Sequence, residues 1–266
     1  MSQFRQLLKS AFTAALPMSL LLSRGPRCAS GPTEIALTFD DGPHPEQTPR
    51  LLDVLADFGV KGTFFVVGER AEQQPELIRR IVGEGHELGN HTWTHSEPSQ
   101  TSSARFLDEV SQTRRLIQDL TGHDCRLTRP PKGSLTVGKA IGLWRQQQTV
   151  ALWNIDPKDF SMLETAAMSQ WLDGYRPQTG DIVLLHDNHS RAVVAVEYLA
   201  QNRDLRFVRL ADWLRPAQRP CGGTVAGTLR VPSDGHEPLR MTNDLSNADG
   251  TRSVPATTER EVADVR

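Results

Sequence analysis

The sequence predicts an α/β protein in which helices cover a parallel β-sheet. Two observations predict this fold class. Short β-rich runs alternate with amphipathic helical segments along the middle of the chain, and polar or ionisable residues follow several of those runs. The composition agrees, because 38% of the 266 residues are apolar and 23% are charged, which is typical of a globular domain.

Hydrophobic periodicity assigns the individual elements in chain order. Six β-rich runs predict strands at 34–39, 63–67, 125–128, 149–155, 181–185 and 205–208. Four segments with apolar residues at helical spacing predict helices at 48–58, 75–82, 106–120 and 192–200. Pro49 suits a first helical turn, and Gly83 and Gly122 are placed to end two of the helices.

The two ends of the chain differ in composition from this alternating region. Residues 216–266 contain no aromatic side chain and are rich in Gly, Pro, Ser, Thr, Asn and charge, so we expect a disordered tail there. Residues 1–33 are expected to form either an export signal or a helical N-terminal arm. The predicted domain therefore spans 34–215.

Basic residues in the N-terminal segment favour an export signal peptide, and a proline argues against one. Arg5 and Lys9 precede a moderately apolar stretch, and 28–30 resemble a small-residue cleavage site. Pro17 interrupts the stretch, and Arg24 follows it closely. This balance favours a cytoplasmic or membrane-associated location over secretion.

Charge and cysteine content exclude several classes of protein. The 30 basic residues nearly balance the 32 acidic ones, which argues against a nucleic-acid partner bound through phosphates. Cys28, Cys125 and Cys221 are too few and too widely spaced for a disulfide framework or a cysteine-based zinc site. No apolar run reaches the roughly 18 residues that span a bilayer. Nothing in the sequence predicts a stable protein partner.

Ionisable residues follow five β-rich segments, including 85–90. In chain order they are Asp40 with Asp41, His91, Arg129, Asp156 and His186. The C-terminal ends of parallel strands meet at one face of the sheet, which is where (β/α) barrels build their active sites. We therefore expect these side chains to lie close together.

Two histidines and an aspartate predict a metal site. His91 and His95 are four residues apart, so on a helical turn both rings would share one face and reach one ion. With one carboxylate from Asp40 or Asp41, the set suits a catalytic Zn²⁺ or a similar divalent metal. The alternative is two unrelated surface histidines.

The remaining ionisable residues suit acid–base roles. Neighbouring Asp40 and Asp41 point in different directions, and Arg129 could relieve their repulsion. His186 has Asp156 available to orient its ring, with Asp159 also close. A histidine held by a carboxylate is the usual arrangement of a tuned acid or base. The alternatives are an ordinary Asp-containing turn and a structural histidine.

Five segments resemble the motifs of polysaccharide deacetylases, the NodB-homology group of carbohydrate esterase family 4. They are TFDDGP at 38–43, HTWTH at 91–95, RPPKG at 129–133, DPKDF at 156–160 and LLHD at 184–187. GTFFVVG at 62–68 and the segment 75–87 strengthen the resemblance, which covers 34–215. It implies a distorted (β/α) barrel of about seven strands.

The resemblance also implies a role for each motif residue. Asp41, His91 and His95 would bind the metal, with Zn²⁺ the expected ion. Asp40 would be the general base for the attacking water, held by Arg129. His186 would be the general acid, tuned by Asp156. Leu184 would line the acetyl pocket, and Lys132 and Phe160 would contact substrate.

Two positions depart from the family pattern. Lys132 stands where an aromatic residue is usual, and Phe160 where a tryptophan is usual. The backbone N–H of Lys132 could still stabilise an oxyanion. Its side chain replaces a sugar-stacking surface with a cation, which makes a phosphate- or carboxylate-bearing substrate more plausible.

The expected function is metal-dependent hydrolysis of N-acetyl groups on an amino-sugar glycan. Chitooligosaccharide, peptidoglycan and exopolysaccharide substrates are all consistent with the motifs. The alternatives are an O-acetyl esterase acting on a polysaccharide, because the same activated water attacks esters, and a non-catalytic glycan-binding domain of the same fold.

Overall fold

The computed structural model describes residues 16–27 and 31–214. Within these residues, eight parallel strands form one sheet: β1 Leu21–Leu22, β2 Thr33–Gly42, β3 Thr63–Val66, β4 Glu87–Asn90, β5 Leu127–Thr128, β6 Thr149–Ala151, β7 Asp181–His186 and β8 Leu205–Phe207. The helices are α1 Gln47–Asp57, α2 Gly68–Gln73, α3 Pro75–Gly83, α4 Ser103–Thr121, α5 Val137–Arg145, α6 Thr165–Gly174, α7 Arg191–Ala200 and α8 Leu210–Leu214. Two 3₁₀ turns lie at Pro131–Gly133 and Asp159–Ser161. The predicted α/β class is confirmed.

The sheet curves so that its two ends approach each other. The strand order is β1-β6-β5-β4-β3-β2-β7, and β8 pairs with the first residues of β2. The chain beyond β6 reaches β7 through a parallel bridge between Ile155 and Val183, where the N–H of Ile155 also donates to the carbonyl of Ile182 at 3.1 Å. This contact gives the distorted barrel that the family resemblance implies.

Helix and strand side chains fill the space between the sheet and its outer layer. Leu51, Leu52 and Leu55 of α1 are buried against the sheet, where the rings of Phe39 and Phe64 lie 4.8 Å apart. The strand β7 is buried along most of its length. A continuous apolar run of this kind is expected of a parallel strand covered on both faces.

The structure extends the predicted domain in the N-terminal direction. Strand β1 pairs with β6, Leu22 is fully buried, and Arg24 forms a 3.0 Å ion pair with Asp181. The expected helical arm is therefore wrong for residues 16–27, and the expected domain start at 34 is too late. A two-residue strand is too short to show the alternation of apolar and polar residues that predicts a β-strand.

Other predictions about the chain ends fall on residues that the structure does not describe. The candidate cleavage site at 28–30 and the predicted tail from 216 onward both lie outside the described residues. Among the residues that are described, no helix is long and apolar enough to cross a membrane.

Burial of β1 makes a prediction about stability. Leu22→Ala should lower the free energy of unfolding by about 2–5 kcal/mol, because it removes a fully buried leucine side chain. Urea unfolding measures the change. Leu163→Ala is the matched control, since Leu163 is 95% exposed and should have little effect. Equal effects of the two substitutions would contradict the packing of β1.

Candidate active site

Most of the ionisable residues at the strand ends converge as the sequence predicts, and Asp156 is the exception. Asp40 and Asp41 are among the last three residues of strand β2, and Asp40 is in register with His186 at the end of β7. His91 follows β4 and Arg129 follows β5, and these two strands are neighbours in the sheet. The C-terminal edge of the sheet thereby assembles one site from four strands.

Asp41, His91 and His95 form a compact triad. The Oδ1 atom of Asp41 lies 3.4 Å from Nε2 of His91 and 3.3 Å from Nε2 of His95. Burial alone would raise the pKa of Asp41, but its close contact with His91 and the charges of His91, His95 and His186 lower it below its usual range. The carboxyl is therefore ionised.

The triad fits a divalent metal. Nδ1 of His91 donates to the carbonyl oxygen of Arg129 at 2.7 Å, which leaves the Nε2 lone pair directed toward Asp41. Oδ1 of Asp41 is buried and makes no hydrogen bond within the described residues, so it needs a cation. One carboxylate and two imidazoles with further positions open are the ligands of a catalytic zinc-type centre.

The two histidines converge through a loop, which corrects the expectation that a helical turn presents them. Residues 91–95 lie outside any helix, and Thr92 and His95 have positive φ angles of 66° and 53°. The loop is held by its own side chains: Thr92 N–H donates to Asn90 Oδ1, and His95 N–H donates to Thr92 Oγ1. The four-residue spacing correctly predicts that the two histidines lie together, but a loop and not a helical turn brings their rings to one place.

Arg129 fixes Asp40 from inside the barrel. Its guanidinium is fully buried and donates from Nη1 to Asp40 Oδ1 at 2.7 Å and to Thr38 Oγ1 at 2.8 Å. Nε and Nη2 donate to the backbone carbonyls of Ala151 and Leu152. The group also lies 4.1 Å above the ring of Phe65. The buried positive charge of Arg129 is thus paired with Asp40, and each of its three nitrogens donates a hydrogen bond.

His186 is oriented by Asp159, which corrects the expectation that Asp156 would do so. Nδ1 of His186 lies 2.7 Å from Oδ1 of the fully buried Asp159, and the His186 backbone N–H donates to Oδ2 at 2.8 Å. Burial would lower the pKa of His186, but the hydrogen bond and charge of Asp159, with Asp40 and Asp41, raise it to about 9. The ring is therefore protonated near neutral pH.

Asp156 has another partner. Its carboxylate accepts from the backbone N–H of Lys158 at 2.9 Å and from the Lys158 ammonium at 2.5 Å. Lys158 adopts a left-handed conformation, with φ of 63°, immediately before the 3₁₀ turn that contains Asp159. Two acids three residues apart both follow β6, and only the local turn decides which one meets His186.

The residues expected to contact substrate lie in different environments. The Lys132 ammonium is paired with Glu97 at 2.5 Å, so its charge is balanced and supplies no reason to expect an anionic substrate. Phe160 is 59% exposed and its ring lies 5.7 Å from that of His186. Leu184 is buried within β7.

The structure adds the buried carboxyl of Asp187, for which the sequence predicts no role. Asp187 accepts from the Thr48 hydroxyl at 2.7 Å and its N–H donates to the carbonyl of Asp40. Burial raises its pKa to about 7. It packs so closely on Gly42 that a Cβ there would lie 2.0 Å from the carboxylate, so only glycine fits. The position of Asp187 in the LLHD motif, directly after His186, is the sequence feature that could have indicated a role at the site.

Comparison with known proteins agrees with this geometry. A family profile described as polysaccharide deacetylase matches residues 29–142. A chitooligosaccharide deacetylase from a Bradyrhizobium species is 39% identical over 190 residues, which are 71% of this chain and 85% of the relative. The chain belongs to the polysaccharide deacetylase family. The resemblance of the five motifs is thereby confirmed.

Two further matches, one to a sequence and one to a solved structure, have peptidoglycan in their names. A peptidoglycan-N-acetylglucosamine deacetylase from Bacillus cereus is 33% identical over 160 residues, which are 59% of this chain and 58% of that protein's length. The crystal structure of the Bc1960 peptidoglycan N-acetylglucosamine deacetylase superposes with a TM-score of 0.67 at 29% identity. It covers 73% of this chain and 92% of the other.

Proposed function

We propose that this family member is a metal-dependent hydrolase that removes N-acetyl groups from an amino-sugar glycan. The observation that carries the proposal is one partly buried site in which a carboxylate–bis-histidine triad lies beside an Arg-held aspartate and an Asp-held histidine. The relatives support the substrate class, since their names are peptidoglycan-N-acetylglucosamine deacetylase and chitooligosaccharide deacetylase.

The metal would be held by Asp41, His91 and His95, and we propose Zn²⁺. When bound, such an ion acts as a Lewis acid that activates water near neutral pH and polarises the acetyl carbonyl. The chain itself supplies the ligands in a fixed orientation, because the carbonyl of Arg129 holds the His91 ring.

Asp40 is suited to accept the proton of the attacking water. Arg129 binds its Oδ1 atom, whereas Oδ2 lies 3.6 Å from Nε2 of His91 and so faces the triad. A carboxylate held in this way has one oxygen fixed and one free to act as a general base. Its placement next to the metal ligand Asp41 follows from the order of the two aspartates at the end of β2.

His186 is suited to protonate the departing amine. Because Asp159 binds Nδ1, the proton available for transfer is on Nε2. An amine is a poor leaving group unless it is protonated, so an acid in its charged form near neutral pH is needed. Phe160 beside this ring offers an exposed apolar surface for the face of a sugar.

The raised pKa of His186 predicts the alkaline limit of activity. An acid with a pKa of about 9 stays protonated below that pH, so activity should fall as pH rises through about 9. Asp159→Asn removes the charge that raises the pKa, so the alkaline limb should move to lower pH and the maximal rate should fall. The pH profile of kcat for acetate release measures both effects.

Asp156→Asn is the matched control for this experiment. Its carboxylate binds Lys158 and not the His186 ring, so the alkaline limb should stay in place. If Asp156→Asn moves the limb and Asp159→Asn does not, the assignment of the orienting carboxylate is overturned.

Acetate release from defined substrates tests the proposed function. The full chain is incubated with N-acetylglucosamine oligomers and with peptidoglycan before chelation, after chelation, and after Zn²⁺ is added back. We expect acetate release that is lost on chelation and restored by the metal. Release from O-acetylated xylan alone would replace the proposal with an esterase. Sugar binding without release from any substrate would replace it with a binding domain.

A further inference from the structure

A second group of metal-ligating side chains lies next to the triad. Asp159, His186 and His189 each offer one ligand atom, and these atoms lie within 4.8 Å of one another. His189 is three residues beyond His186, ahead of α7, and the two rings are 6.1 Å apart. None of the three residues belongs to the triad formed by Asp41, His91 and His95.

We propose that Asp159, His186 and His189 form a second divalent-cation site, which takes Zn²⁺, and that filling it inhibits the enzyme. The binding part rests only on these three residues. The inhibitory part rests on the proposed function, because it requires that His186 is the acid which protonates the leaving amine.

His189 is the residue that points to a ligand. Both of its ring nitrogens are buried and make no hydrogen bond within the described part of the chain, although the side chain as a whole is 18% exposed. Buried imidazole nitrogens are normally paired, so this ring lacks a partner that a metal ion would supply. Its Nε2 atom faces the carboxylate of Asp159 at 3.8 Å.

The donor set and spacing suit zinc. One carboxylate oxygen and two imidazole nitrogens are typical zinc ligands, and bond lengths of about 2.0–2.2 Å place tetrahedral ligands roughly 3.4 Å apart. The Nδ1 atom of His186 lies 2.7 Å from Oδ1 of Asp159, and Nε2 of His189 lies 3.8 Å from Oδ2, so the two histidines face the two oxygens of the same carboxylate. Small side-chain rotations would bring the three atoms to one ion, with solvent as a further ligand.

Occupation of this site would remove the proton donor. The ion replaces the hydrogen on Nδ1 of His186, and that proton leaves to solvent. His186 then has a metal on one nitrogen and cannot become the imidazolium that gives a proton to the amine. Activity should therefore rise as the triad fills and fall as the second site fills.

The number of bound ions tests the site without reference to activity. Metal-free full-length protein is dialysed against increasing Zn²⁺, and bound zinc per chain is measured by elemental analysis. We expect two ions per wild-type chain at saturation and one in His189→Gln. His123→Gln is the matched control, because His123 is exposed on the loop after α4, and it should still bind two.

Each result of the dialysis decides the proposal. One ion in the wild type, or two in a folded His189→Gln, overturns the second site. Circular dichroism confirms that the variant is folded, and His189→Asn replaces it if it is not. The wild-type count stands by itself if neither variant folds.

Acetate release then tests the inhibitory part. Activity at excess zinc is expressed relative to each protein's own activity at one equivalent. We expect wild-type activity to fall at least several-fold and the His189→Gln ratio to stay near one. Two bound ions without a fall overturn the inhibition alone. If no substrate yields acetate, the proposed function fails while the zinc count still decides the site.

Discussion

Asp40→Asn should lower the rate of acetate release by about 10²–10⁴-fold while the protein still binds its activating metal. An asparagine amide has the shape of the carboxylate but cannot accept a proton from water at neutral pH. Its oxygen can still receive the hydrogen bond from Arg129, so the buried guanidinium keeps an acceptor. The proposed metal ligands are Asp41, His91 and His95, which the substitution leaves in place.

Two measurements on the same preparation check this expectation. Acetate release gives kcat, and elemental analysis gives zinc per chain. Asp57→Asn is the matched control, since Asp57 is exposed at the end of α1, and both quantities should match the wild type. An Asp40→Asn variant with near wild-type kcat would show that another group accepts the proton. Loss of zinc would place Asp40 among the ligands.

The location of the site could be predicted from sequence because parallel topology forces it. Once 34–39 and 181–185 are read as parallel strands, the residues that follow them must meet at one edge of the sheet. Asp40 and His186 are therefore in register across β2 and β7. The two strands are distant in the chain: the Thr38 hydroxyl of β2 donates to the carbonyl of Val183 in β7, 145 residues later. The fold class and the position of the site depend on this topological rule and not on the conformation of individual loops.

Pairings within the site could not be predicted because they depend on loop conformation. Asp156 and Asp159 are chemically equivalent in sequence, and a left-handed Lys158 determines that the second one meets His186. The ion pair of Lys132 with Glu97 also joins two loops whose conformations carry no periodic signal. Such contacts are set by a few φ angles, which a hydrophobic pattern does not encode.

Arg129→Lys should have the second large effect, and it should act on stability as well as on activity. A lysine keeps the positive charge but has no planar fork, so it cannot bind Asp40, Thr38 and the backbone carbonyls of Ala151 and Leu152 together. The acceptors left without donors are buried, and a buried polar group without a hydrogen bond costs about 1–3 kcal/mol. We expect a loss of that order in the free energy of unfolding.

Urea unfolding and kcat measure the two consequences of Arg129→Lys. Arg126→Lys is the matched control, because Arg126 is exposed and pairs with Asp124 at the surface, and both quantities should change little. A stable Arg129→Lys variant with normal kcat would show that a charge alone suffices to hold Asp40.

Combining Arg129→Lys with Asp40→Asn tests whether the arginine acts on catalysis through the aspartate. If its contribution is to hold Oδ1 of Asp40, then the double variant should be scarcely slower than Asp40→Asn alone, because the base it positions is already lost. If the two losses in kcat multiply, then Arg129 contributes separately. The stability losses should likewise be less than additive, since both substitutions disrupt the same 2.7 Å ion pair.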